Sequence, residues 1–136
     1  KESDYDPISI TKKHWHILHP KHSVSSPGQY QDFIKTSFAE FSVAKETYVK
    51  SNSGWFSCRS ACYLAAGKPV IAEETGWSKY IPEGNGLFSF TDVDTAIESI
   101  KSVASDWNKH SRAAVEIAND FFDSKIVLTD MINKLN

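Results

Sequence analysis

The sequence predicts an α/β domain built on a mainly parallel sheet flanked by helices. Two observations carry this. Short apolar runs bounded by turn residues, Pro69–Glu73 and Leu87–Phe90, suit buried parallel strands. They alternate with stretches whose apolar residues recur at helical spacing. Composition agrees: 136 residues, 40% hydrophobic and 24% charged, are enough for one domain with its own core.

From the N-terminus, residues 1–13 are polar and read as a tail or linker remnant, ahead of a domain over 14–136. His14–Leu18 reads as a short strand ended by Pro20. Ser26 is a candidate N-cap with Pro27 at the first helical position, and Tyr30, Phe33, Ile34 and Phe38 define a helix over 27–38. Residues 40–44 read as a short strand or an extended segment. Residues 45–52 are ambiguous, and Tyr48 and Val49 fit a further short strand. Ser53-Gly54-Trp55 is a turn. Ser57 caps a helix through Ala66 that Gly67 closes.

After the strand at 69–73, Thr75–Trp77 is loop and Pro82–Gly86 is turn. Thr91 is the candidate N-cap of a helix with Ala96, Ile97, Ile100, Val103 and Ala104 on its apolar face. A helix over 107–122 turns Ala113, Ala114, Ile117, Ala118 and Phe121 inward. A last one, from residue 123 or 124 to the end, carries Ile126, Val127, Met131 and Leu135. The strand count is low for a full doubly wound domain. With Lys1 in place of a start Met, this suggests a chain that begins part-way into its parent.

A net charge of −2 argues against a nucleic-acid partner, and no apolar run approaches the roughly 20 residues of a transmembrane helix. Neither signal peptide nor disulfide framework is visible, so the expected location is cytoplasmic. Cys58 and Cys62, four apart, read as two small residues packed in a helix face. A disulfide there strains the helix, and a metal site needs further ligands. His14, His16, His19 and His22 lie within nine residues but without a carboxylate among them, so no metal site is assigned.

In parallel sheets ligands bind beyond the carboxyl ends of the strands. Two loops suit that. In the first, Ser57, Arg59 and Ser60 sit in the opening turn of a helix, where backbone N–H groups and the helix dipole attract phosphate. The plainer alternative is a capped helix with a solvated arginine. In the second, residues 73–77, Glu73 and Glu74 offer carboxylates to sugar or ribose hydroxyls, Thr75 a hydroxyl, Gly76 close backbone approach and Trp77 an apolar wall. The alternative is an acidic loop with a packed tryptophan. The other aromatics, Phe56, Phe88, Phe90, Trp107, Phe121 and Phe122, read as packing. Trp55 and Trp77 stand out because they lie in these loops.

Residues 40–90, and above all the helix–Gly-x-Pro unit LAAGKPVI, resemble the C-terminal domain of bacterial group 1-type glycosyltransferases of the GT-B fold. The stretch HSRAAVEIANDFFDSKIVL near the C-terminus is similar as well. The resemblance implies a Rossmann-like, C-terminal GT-B half-domain that binds a nucleotide-diphosphate sugar without metal or other cofactor. It makes Ser57, Arg59 and Ser60 diphosphate contacts, and Glu74, Thr75, Gly76 and Trp77 sugar or nucleotide contacts. Glu40 and Lys45 join them from the preceding strand and loop. The acceptor site and the catalytic base belong to an N-terminal domain that this sequence lacks. The sequence departs from the family where a ribose-binding acidic pair is common: those positions hold Gly54 and Cys62. That departure motivates an alternative, a non-catalytic binding module that keeps the fold. A nucleotide-sugar epimerase of the same fold is a third option.

Overall fold

A computed structural model describes residues 15–135. The chain divides into two compact units, one ending at Phe33 and the other starting at Ile34.

In the first unit, Trp15–Leu18 is exposed and forms no strand among the described residues, contrary to expectation; His14 lies outside them. Pro20 starts a one-turn helix, α1 (Pro20–Ser23), in keeping with proline's preset φ at a first helical position. Helix α2 (Pro27–Thr36) begins as expected, with Ser26 Oγ accepting the Gln29 N–H at 3.2 Å. The unit boundary falls within α2.

The second unit holds a three-stranded parallel sheet in the order β1 (Glu40–Ser42), β2 (Val70–Glu73), β3 (Leu87–Phe90). Glu40, Val70 and Leu87 share one row of the register, and Phe41, Ile71 and Phe88 the next. Because side chains alternate across a sheet, these rows face opposite sides. The first row meets α4 (Cys58–Ala65), through Arg59 on Glu40. The second packs on α5 (Val93–Ser105), in a core of Ile71, Phe90, Ala96 and Val103. Central β2 is accordingly apolar along its first three residues and buried on both faces. Residues 45–52 resolve into a helical turn, α3 (Glu46–Lys50), and not a strand.

Helix α4 is closed at both ends. Ser57 Oγ accepts the Arg59 N–H at 3.2 Å. At the other end Gly67 (φ +68°) completes a Schellman turn: Lys68 N–H donates to Tyr63 O, and Gly67 N–H to Leu64 O, both at 2.9 Å. Helix α6 (Trp107–Phe122) packs on α4, α5 and β3, burying Ala114, Ile117 and Ala118 as expected. It comes very close to the turn before β3. A Cβ on Gly86 would overlap the Ala114 backbone nitrogen and lie 2.8 Å from the Ala113 carbonyl carbon.

Some expected contacts move. Asp92, not Thr91, caps α5, in a capping box with Thr95: the Asp92 carboxylate accepts the Thr95 N–H at 2.8 Å. Ile97, Ile100 and Ala104 are exposed, while Ser99 is buried and donates to Thr95 O at 2.9 Å. Helix α5 packs on β3, β2 and α6, and Ala96, Ser99 and Val103 carry its buried side. Phe121 is exposed, as are Ile126, Val127, Met131 and Leu135 in and after α7 (Ser124–Asn133). Both cysteines are exposed, contrary to the expected packing. Among the described residues no helix is long and apolar enough to cross a membrane.

Candidate functional site

Beyond the carboxyl ends of β1 and β2 lie three loops, at 43–45, 51–57 and 74–76. Backbone and side-chain hydrogen bonds tie them together. Ala44 N–H donates to Glu73 Oε2 at 2.9 Å, joining the ends of the two strands. Gly54 N–H donates to Thr75 O at 2.7 Å, and Thr75 Oγ1 donates to Trp55 O at 2.6 Å. Gly76 (φ +99°) lies hard against Asn52: a Cβ there would stand 2.6 Å from Asn52 Oδ1. Only glycine meets both the left-handed φ and the close approach. Asn52, itself at φ +48°, is a contributor absent from the residues expected at the site. The signal for Asn52 was present, because asparagine tolerates left-handed turns.

At the start of α4, Arg59 spans to β1. Its Nε donates to Glu40 Oε1 at 2.5 Å, and its second guanidinium nitrogen to Ser42 Oγ at 2.9 Å. Glu40 is only 5% exposed, whereas the Arg59 side chain is half exposed. The other Glu40 oxygen is buried without a hydrogen-bond partner, as is Ser60 Oγ. A buried carboxylate held by one cation in this way is costly to leave unpaired.

The candidate residues thus take different roles. Ser57 is the N-cap of α4, Arg59 is half exposed beside it, and Ser60 is 1% exposed and faces inward. Glu74 Oε1 accepts the Gly76 N–H in a short hydrogen bond, and Glu74 Oε2 is buried and unpartnered. Thr75 is buried, with its hydroxyl spent on Trp55 O. Lys45 is exposed at the N-cap of α3 without a side-chain cap bond. Trp77 corrects the expectation of an apolar wall: it is 1% exposed, donates Nε1–H to Glu73 O at 3.1 Å and meets Phe56 edge-on at 5.4 Å. The exposed tryptophan of the two loops is Trp55, stacked on Tyr48 at 5.0 Å.

Chemically, the opening turn of α4 offers backbone N–H groups, the Ser57 hydroxyl and a guanidinium, a set suited to an anion. In the 74–76 loop the Glu74 carboxylate is engaged by the Gly76 N–H through Oε1 and buried at Oε2. The Gly54 position has φ +72° and its N–H is committed to Thr75, so an acidic side chain there would be strained. Among the described residues no group of three or more His, Cys, Asp or Glu side chains is placed to hold a metal.

Compared with family models, with curated proteins and with solved structures, the chain matches none.

Proposed function

We propose that this chain is the nucleotide-sugar-binding half of a glycosyltransferase of the GT-B type. The observation that carries the reading is the setting of α4. It starts beyond the carboxyl end of β1 in a parallel sheet, with Ser57 and Arg59 in its opening turn. That is where α/β sheets collect phosphorylated ligands. In this reading the diphosphate of the donor lies at Ser57–Ser60, and the sugar lies toward Glu74 and Gly76. As the donor departs, negative charge grows on the diphosphate; the helix start and Arg59 stabilise it. The acceptor site and the base come from another domain of the parent protein, so this chain alone binds donor and transfers little.

A second reading, a binding module without transfer, draws on one specific observation. The Arg59 guanidinium already neutralises buried Glu40, which reduces the net positive charge available to a diphosphate.

Calorimetric titration with UDP, GDP, ADP and their sugars tests both. Micromolar to millimolar binding of one nucleotide sugar, weakened at least tenfold in Arg59→Gln, supports the donor-binding reading. Absence of binding to all of them by folded protein rejects it.

A further inference from the structure

Cys58 and Cys62 lie four residues apart on α4, and both are exposed. That spacing puts them on one stripe of the helix with Cβ atoms roughly 5–6 Å apart. The buried side of α4 is carried by Ser60, Tyr63 and Leu64, so the two thiols occupy the solvent side. Their i+3 neighbours, Ala61 and Ala65, present no more than a methyl group. The helix beneath them is pinned by the Ser57 cap and the Gly67 turn, so the pair is held in one register.

The geometry restricts what such a pair can do. A disulfide needs Cβ atoms about 3.5–4.5 Å apart, less than the helix provides, so the two keep their thiols. A structural zinc takes four ligands, and no third donor joins them among the described residues. An ion satisfied by two thiolates remains. Two metal–sulfur bonds of about 2.3 Å each, the zinc–thiolate length, span about 4.6 Å end to end. Sulfurs on Cβ atoms 5–6 Å apart reach that separation by side-chain rotation alone. Soft thiolates suit Cu(I), zinc and iron–sulfur clusters, and of these Cu(I) is the ion that two ligands in a line satisfy.

We propose that Cys58 and Cys62 form a two-thiolate clamp for a Cu(I) ion. Binding forms two Cu–S bonds and releases two S–H protons to water, with no change of oxidation state. The complex carries one net negative charge, which the positive end of α4 favours at Cys58. Cys58 lies within the Ser57–Ser60 turn, so the clamp shares the start of α4 with the proposed diphosphate site.

The test is anaerobic titration of the reduced protein with Cu(I) held by bicinchoninate, with native mass spectrometry of the product. One Cu(I) per single chain is expected. Cys58→Ser and Cys62→Ser should each weaken binding at least tenfold, and the double variant should bind none. Because both side chains are exposed, far-UV circular dichroism should report an unchanged fold in all three. Cu(I) retained by the double variant, a single variant as tight as the parent, copper shared between two chains, or no transfer from the chelator would each overturn the proposal.

Discussion

Arg59 Nε donates to Glu40 Oε1 at 2.5 Å and so fastens the first turn of α4 to the first residue of β1. The two residues lie 19 positions apart, and one of them is almost fully buried. Removing Arg59 therefore does two things at once: it takes a cation from the candidate anion site and strands a buried carboxylate. Arg59→Ala should lower stability by about 1–3 kcal/mol. That is less than the roughly 3–5 kcal/mol of a fully buried pair, because half of the arginine side chain is in solvent. Glu40→Gln in the Arg59→Ala background should restore part of the loss, and a double-mutant cycle by urea denaturation measures the coupling. Additive losses would show that the pair contributes nothing.

Gly86 and α6 are in near-contact. Gly86→Ala introduces a Cβ into the Ala113–Ala114 backbone and a side chain at φ +75°. Such a change should cost well over ~1 kcal/mol and appear as a large drop in Tm. Gly84→Ala is the control: its φ is +99°, but nothing lies within 4 Å of the added methyl, so it should show the backbone strain without the overlap and lose less.

The Thr75 hydroxyl joins the 51–57 and 74–76 loops through Trp55 O. Thr75→Val keeps the shape and removes the donor. It should cost about 1–2 kcal/mol and alter the Trp55 environment, seen as a shift in tryptophan emission. An unchanged spectrum and stability would mean that the bond does not hold the loops.

The capping box of α5 gives the protein an acid-sensitive end. Hydrogen bonding, first from the Thr95 backbone N–H and then from its hydroxyl, holds the Asp92 carboxyl below its ordinary value of 3.8. A lowered folded-state pKa means the carboxylate favours the folded state. That contribution is complete above pH 3.8 and is lost as the pH falls through the folded-state value. Asp92→Asn keeps a capping side chain without the ionisation. Its stability, measured by denaturation at steps from pH 6 to pH 2.5, should fall less steeply than the parent's at the acid end. Parallel curves would remove Asp92 from the acid response.

The expected outlines of α2 and α4, and of β2 and β3, matched the fold because their signals are local. Ser26-Pro27 and Ser57 set helix starts, Gly67 a helix end, and period-2 or continuous apolar runs the strands. Parallel pairing followed from the alternation of those elements. Other features depend on partners distant in sequence. Trp15–Leu18 has strand-like residues, but a strand exists only within a ladder. Cys58 and Cys62 read as packing residues until the sheet fixed which side of α4 is inward.

Trp77 and Arg59 mark the division most clearly. Propensity and capping act within a few residues, so a polar loop after β2 and a capped helix before it are legible in the chain alone. The burial of Trp77 against Phe56 and the reach of Arg59 back to Glu40 come from the assembled fold. Burial and ion pairing arise from elements brought together across the sheet, and no local pattern encodes that distance.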